Sequence, residues 1–296
     1  MAIAHPFDYV KPKSLAEAIK IMARHGDRAR AIAGGTDLIC LMSDGAVKPD
    51  LVVDIKGVPG LAGIGFKGGK LRIGALATFT DLLESKLIRD KFPVFAEMAG
   101  WVASNGVRNR ATMAGNICSA VPCCDSGPIL LVYDAAVLVK GPKGARKIPL
   151  EKWFLGPRKT DIRRGEIVTG LELAAPKKKH AACFVKLRRY KGEDLAQASV
   201  TVLAMADNTF RIAFGSVAPK PIRGASIERR LKGFPLSEER IRQAVALVPK
   251  AVSPITDIRS TKEYRMHMVG VMLERGLREA AARLEGRGRK YGEELI

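Results

Sequence analysis

Long apolar runs, cysteine and aromatic residues are all scarce in this 296-residue chain. No stretch of about 18 apolar residues occurs, so we expect no transmembrane helix. Residues 1–6 lack the basic region and the apolar core of a signal peptide. The five cysteines, an odd number, do not suggest a disulfide framework and favour a reducing, cytoplasmic location. Aromatic residues make up only 6%, but hydrophobic residues make up 47%, which is typical of an ordinary globular protein.

Acidic residues are also scarce relative to basic residues. Thirty Asp and Glu residues stand against fifty Lys and Arg residues, which gives a formal net charge of +20. Such an excess is compatible with nucleic-acid binding, with an acidic partner or with solubility alone. The basic residues are scattered, and no zinc finger, ribonucleoprotein motif or basic recognition helix accompanies them, so we do not expect nucleic acid. An acidic protein partner and an anionic cofactor explain the charge equally well.

Local signals in the first part of the chain predict alternating helices and strands. Ser14 and Glu17 form a capping box, in which each side chain can satisfy a free backbone amide, and Gly26 is suited to end the helix. The predicted elements that follow are strands at residues 29–33 and 51–55, a helix from residue 38, and a hairpin over residues 62–75.

The chain changes character near Pro176, after which a lysine run follows. The elements predicted beyond it are strands at residues 185–189, 198–206 and 210–217, and helices at residues 237–248 and 262–284. Strands followed by helices favour an α+β domain over a repeating βαβ array. We therefore divide the chain into residues 1–176, with subdomains of about 1–57 and 58–176, and residues 177–296.

One glycine motif imitates a dinucleotide-binding fingerprint. Gly63, Gly65 and Gly68 match the G-x-G-x-x-G spacing. That fingerprint works only where it leads from a strand into a helix whose first amides face a pyrophosphate. Here residues 70–75 alternate like a strand, so the motif predicts a hairpin turn.

Two other glycine-bearing loops are more informative. Residues 33–37 join a strand to a predicted helix, and glycines there let backbone amides approach a phosphate closely. Residues 106–116 combine small residues with the hydrogen-bonding side chains of Thr112 and Asn116 and a close-approach glycine at Gly115. A tight turn needs glycine with or without a ligand, so from these residues alone a phosphate cradle and a plain turn both stay open.

The titratable residues supply no evident catalytic or metal set. Asp125 could accept hydrogen bonds from ribose hydroxyls, but a solvated loop aspartate is equally compatible with its position. Lys186 lies in a predicted strand, where a lysine usually faces solvent. Cys118, Cys123 and Cys124 fall short of the four thiolates of an iron–sulfur cluster, so we predict no bound metal. None of the four histidines has a recognisable catalytic context.

Taken together, these segments resemble a known family, the FAD-binding medium subunits of molybdenum hydroxylases of the carbon monoxide dehydrogenase and xanthine dehydrogenase type. The resemblance covers nearly the whole chain. The segments that carry it are residues 7–18, Ala33-Gly-Gly-Thr-Asp-Leu38, residues 73–78, Val107-Arg-Asn-Arg-Ala-Thr-Met-Ala-Gly-Asn116, Phe184-Val-Lys186, Asp194-Leu-Ala196, Asp257-Ile-Arg259 and Glu263-Tyr-Arg265. One departure is Cys123-Cys124, where relatives usually carry small residues before the aspartate.

The resemblance implies an α+β fold. It consists of a two-subdomain FAD-binding fold of the vanillyl-alcohol oxidase type and a C-terminal domain with a three-stranded antiparallel sheet and helices. It also implies bound FAD, with residues 33–37 and 112–116 at the pyrophosphate, Asp125 at a ribose or nearby polar group, and Lys186 near the flavin. The cofactor-binding residues carried over are Ala33, Gly34, Gly35, Thr36, Asp37, Leu38, Ala75, Val107, Thr112, Ala114, Gly115, Asn116, Asp125 and Lys186.

The function implied is that of an electron-transfer subunit of an oxidoreductase complex. A molybdopterin-binding large subunit would transform the substrate, and a 2Fe-2S small subunit would pass electrons to or from this FAD. NAD or another external acceptor would complete the route. The alternative is a self-contained FAD-dependent oxidase or dehydrogenase, against which the lack of an evident substrate acid or base argues.

Overall fold

The computed structural model describes residues 3–190 and 192–296. Its first sheet has three parallel strands, in the order β1-β3-β2. The elements of this region are β1 (Asp8–Val10), α1 (Leu15–His25), β2 (Ala29–Ile32), α2 (Leu38–Ser43) and β3 (Leu51–Asp54). Helices α1 and α2 are the crossovers that parallel strands require.

Helix α1 begins at the predicted capping box. The Glu17 amide donates to Ser14 Oγ at 3.1 Å, and the Lys13 amide donates to the Glu17 carboxylate at 2.7 Å. The helix ends at Gly26, whose φ of 56° suits glycine. The sequence therefore predicted both ends of this helix.

The second sheet has five antiparallel strands in the order β4-β5-β10-β6-β7. Its strands are β4 (Ile64–Lys67), β5 (Lys70–Gly74), β6 (Ala136–Gly141), β7 (Gly144–Pro149) and β10 (Ile167–Ala174). The predicted hairpin is confirmed, with Gly68 and Gly69 at positive φ in the turn between β4 and β5. The G-x-G-x-x-G match is therefore a hairpin and not a nucleotide loop.

Short helices fill the chain between β5 and β6 and pack the largest apolar cluster on this sheet, around Phe79, Phe92 and Phe95. These helices are α3 (Phe79–Glu84), α4 (Lys86–Lys91), α5 (Pro93–Gly100), α6 (Asn105–Arg108), α7 (Met113–Ser119) and α8 (Ser126–Val132). After β7 come α9 (Leu150–Trp153) and a two-stranded sheet of β8 (Phe154–Gly156) and β9 (Lys159–Thr160).

The remaining sheet is antiparallel, with the order β11-β12-β13-β14. Its elements and the helices after it are β11 (His180–Leu187), β12 (Ala198–Met205), β13 (Thr209–Gly215), β14 (Ile222–Arg223), α10 (Ala225–Leu231), α11 (Glu238–Ala246), α12 (Val248–Ala251) and α13 (Lys262–Leu284). The two residues of β14 extend the predicted three-stranded sheet. A Cβ on Gly276 would lie 3.1 Å from Val202, so glycine lets α13 pack closely on β12.

The fold is α+β, as predicted, and β11 connects its two parts. The Phe184 amide on β11 donates to Glu97 on α5 at 3.0 Å, and Arg283 on α13 pairs with the same carboxylate at 2.8 Å. Both charged side chains are almost fully buried. Within residues 3–190 and 192–296, no helix combines the length and the apolar character needed to cross a membrane.

Candidate functional site

One cavity of about 810 Å³ lies where the first sheet, α7, β10 and β11 meet. All fourteen residues carried over from the family resemblance line it, although they come from distant parts of the chain. They are Ala33, Gly34, Gly35, Thr36, Asp37, Leu38, Ala75, Val107, Thr112, Ala114, Gly115, Asn116, Asp125 and Lys186.

The loop between β2 and α2 presents backbone to this cavity. Gly35 has a φ of 81°, a conformation that side chains disfavour. Within the described chain, the amides of Gly35, Thr36 and Asp37 donate to no other protein group. Unpaired donors beside a cavity are suited to an anionic ligand.

The second loop packs directly against the first. A Cβ on Gly34 would lie 1.9 Å from the carbonyl oxygen of Arg110, so only glycine fits there. Ser119, on the last turn of α7, donates a hydrogen bond to the Asp37 carboxylate. Thr112 caps α7 by accepting from the Gly115 amide at 2.9 Å. The two loops are therefore one joined wall.

Asp125 and Lys186 form a buried ion pair at one part of the cavity. Lys186 Nζ lies 2.7 Å from Asp125 Oδ2 and donates to the Trp101 carbonyl at 3.0 Å. The exposed fractions of the two side chains are 2% for Lys186 and 9% for Asp125. The other carboxylate oxygen, Oδ1, is buried and has no partner among the described residues. Burial raises the pKa of Asp125, and the charge of Lys186 opposes that rise.

The burial of Asp125 and Lys186 excludes the alternative that either side chain simply faces solvent. A lysine on a strand usually faces solvent, but Lys186 points between the two parts of the fold. Its partner lies 61 residues away in sequence, so nothing local to either residue could have indicated the pair.

Sequence reasoning missed a set of cationic residues that line the same cavity. Arg30 on β2 and Arg158, Arg163 and Arg164 near β9 and β10 all line the cavity. They come from β2, from the turn between β8 and β9, and from the loop before β10, so the sequence alone did not show that they lie together. The available signal was the Arg163-Arg164 pair directly before Gly165, which has a φ of 77°. These arginines add positive charge to a cavity that also contains free backbone amides.

The cysteines near the cavity are thiols. Cys118 and Cys123 line the wall, while Cys124 is buried behind it. Burial raises the pKa of Cys123 and of Cys124. Among the described residues, no group of three or more His, Cys, Asp or Glu side chains is arranged to hold a metal ion. That the chain binds no metal stays a prediction.

The donor set fits FAD. Free backbone amides and arginines suit a pyrophosphate, and the unpartnered Asp125 oxygen can accept from a hydroxyl or ring N–H. The volume of about 810 Å³ lies within the range of ligand cavities.

Two family matches cover most of the chain. Residues 5–176 match the family described as the FAD binding domain in molybdopterin dehydrogenase. Residues 182–280 match the CO dehydrogenase flavoprotein C-terminal domain.

Individual relatives agree with these matches. The chain is 32% identical over 280 residues to the carbon monoxide dehydrogenase medium chain of Afipia carboxidovorans, covering 94% of this chain and 97% of that one. It is 30% identical over 285 residues to the xanthine dehydrogenase FAD-binding subunit of Escherichia coli O157:H7, with 94% and 97% covered. The carbon monoxide dehydrogenase structure from Hydrogenophaga pseudoflava superimposes with a TM-score of 0.91 at 31% identity, covering 96% of this chain and 99% of that one. The chain therefore belongs to the family of FAD-binding flavoprotein subunits of molybdopterin dehydrogenases, and its cofactor is FAD.

Proposed function

We propose that the cavity described above is the FAD site, that FAD is held there without a covalent bond, and that all fourteen predicted residues contribute to it. The observation that carries this proposal is their convergence. Fourteen positions spread from residue 33 to residue 186 line one cavity, which also contains an unpartnered buried carboxylate oxygen.

The residues divide into three roles. The backbone of residues 33–38, with Ala75 and Val107 beside it, meets the pyrophosphate. Thr112, Ala114, Gly115 and Asn116 continue that surface; Asn116 is held in place because its Oδ1 accepts from the Ser126 amide at 3.2 Å. Asp125 uses its free oxygen as an acceptor from the cofactor.

Lys186 supplies a fixed positive charge. It is held by two acceptors, the Asp125 carboxylate and the Trp101 carbonyl. A positive charge at this position favours gain of electrons by the bound group. FAD supplies the chemistry of accepting two electrons and passing them singly. The chain contributes no catalytic residue in this proposal.

The chain then acts as the electron-transfer subunit of an oxidoreductase complex. Its partners would be a molybdopterin-binding large subunit and a 2Fe-2S small subunit, and NAD or another acceptor would exchange electrons with the FAD. The relatives support this role, since they are medium chains and FAD-binding subunits of dehydrogenases. We place the complex in the cytoplasm, in keeping with the free cysteines.

The same proposal divides the chain into residues 1–176, with subdomains of about 1–57 and 58–176, and residues 177–296. The strands support this division: β1 to β3 form one sheet, β4 to β7 and β10 form a second, and β11 to β14 form a third.

The FAD site is tested by Gly115→Val. The added side chain would meet Thr112 Oγ1, since a Cβ at this position lies 2.8 Å from it, and would disrupt the loop at the cofactor. We expect loss of FAD retention after gel filtration. Gly57→Val is the matched control, because a Cβ on Gly57 meets no atom within 4 Å.

Equal FAD content in the Gly115 variant, the Gly57 variant and the parent would refute the site. Denaturation followed by filtration checks the bond type: yellow colour that stays with the polypeptide would exclude non-covalent binding.

A further inference from the structure

The segment at residues 286–296, here called the tail segment, folds back from α13 onto both parts of the molecule. The Gly292 amide donates to Glu97 Oε1 at 3.0 Å, and Arg275 donates to the Leu295 carbonyl at 2.6 Å. The ring of Tyr291 lies 4.0 Å from the Arg283 guanidinium. The segment follows the family match, which ends at residue 280. The anchored tail segment therefore lies outside the region that matches the family.

Glu294 of the tail segment holds an arginine against an aromatic ring. Arg188 Nη2 donates to Glu294 Oε1 at 2.9 Å. The same guanidinium lies 4.2 Å from the centre of the Trp101 ring, and the Arg188 side chain is only 13% exposed. Arg188 is thus held between a carboxylate and an indole face, an arrangement that favours a single rotamer.

Trp101 connects this contact to the cofactor cavity. Its carbonyl is one of the two acceptors of Lys186, and the next two residues, Val102 and Ala103, line the cavity. Ala103 has a φ of 39°, which is costly for a residue with a side chain. Such a conformation persists only where the surroundings impose it.

Two arginines contact the segment at residues 101–103. Arg108 donates to the carbonyls of Val102 and Ala103 at 2.6 Å and 2.7 Å. Arg188 covers the ring of Trp101, two residues before Ala103. Both contacts are made to the segment whose Trp101 carbonyl accepts the hydrogen bond of Lys186.

We propose that Glu294 is a positioning residue for the FAD site. By holding Arg188 on Trp101, it fixes the wall at residues 101–103 and the Lys186–Asp125 pair that faces the cofactor. This inference rests on the proposed FAD site. Glu294 touches neither the cavity nor the cofactor, so its effect is transmitted through Arg188 and Trp101.

The test compares Glu294→Gln with Glu293→Gln in the full chain, with and without FAD. Both variants remove one negative charge from the tail segment, but Glu293 is exposed, and no hydrogen bond or ion pair joins its side chain to another described residue. We expect Glu294→Gln to raise the FAD dissociation constant about tenfold, the scale of one charged hydrogen bond. Hydrogen exchange at residues 101–103 should accelerate in that variant alone. Arg188→Lys, which keeps the charge but loses the planar stack, should change both quantities in the same direction.

Identical FAD affinity and identical exchange in the two glutamate variants would overturn the inference. Including Gly115→Val separates the two proposals. If Gly115→Val loses FAD while Glu294→Gln binds like the parent, only the role of the tail segment fails. If Gly115→Val binds FAD normally, the cavity assignment fails, and exchange at residues 101–103 still decides whether Glu294 holds that wall.

Discussion

At the scale of single residues, the Lys186–Asp125 pair is a buried ion pair that lines the proposed FAD site. Removing two charges from water is costly, and their attraction repays the cost only while both remain. The pair also crosses between β11 and the N-terminal end of α8. It therefore has a structural role, and different substitutions can separate that role from its proposed role in binding the cofactor.

Asp125→Asn should destabilise the protein without FAD by about 2–4 kcal/mol, because it leaves a buried lysine without its counter-charge. The double variant Asp125→Asn/Lys186→Met should recover most of that loss but still bind FAD more weakly than the parent. Urea unfolding and FAD titration measure the two quantities separately. Asp207→Asn, which breaks the exposed pair with Lys178, is the control and should cost much less, because solvent screens an exposed ion pair. If the double variant bound FAD as tightly as the parent, the pair would have no cofactor role.

Asp194 provides a pH-dependent contribution at the cavity rim. Burial, the largest single effect, raises the pKa of this carboxyl, but Arg189 and the amides of Arg189 and Leu195 together hold it below its usual value. A lowered pKa means that the stabilisation is complete above the unfolded-state pKa of about 4 and is lost as the pH falls through the folded-state value. We expect the free energy of unfolding to fall more steeply below about pH 4 in the parent than in Asp194→Asn. Parallel curves from pH 6 to pH 2.5 would contradict this prediction.

At the scale of elements, the sequence predicted best what depends on neighbours in the chain. The start of α1 at Ser14 and that of α13 after Thr261 follow from side chains that cap the helix locally. The start of β11 was placed at residue 185, five residues after its true start at His180. Residues 181–184 are buried by segments that are distant in the sequence, and no local pattern indicates that burial.

The order of the five-stranded sheet was not predictable either, because it depends on contacts between segments that are distant in the sequence. Strand β10 lies between β5 and β6, although 92 residues separate the end of β5 from its start. The candidate site shows the same difference between local and long-range features. The two glycine loops were visible as motifs, whereas the arginines beside β9 and β10 join them only after this strand order has formed.

At the scale of the whole molecule, the chain should be an incomplete enzyme. We expect the isolated FAD-loaded protein to hydroxylate no organic substrate, since no described residue cluster is arranged to hold a metal and no substrate acid or base was identified. Slow transfer of electrons from NADH to artificial dyes is expected if the flavin is accessible. The check is flavin reduction by candidate substrates, first with the chain alone and then with the proposed partner subunits added. Robust substrate oxidation by the chain alone would instead favour a self-contained flavoenzyme.

Two buried ion pairs that join residues 1–176 to the rest of the chain also constrain how this protein could have diverged. Asp125 and Glu97 lie in the first matched region, and their respective partners, Lys186 and Arg283, lie after it. Exchange of one region with a homologue would leave buried charges without partners unless the incoming sequence carried the same two pairs. The halves should therefore be inherited together, and chimeric genes that join them from distant relatives should yield insoluble protein more often than their sequence identity suggests.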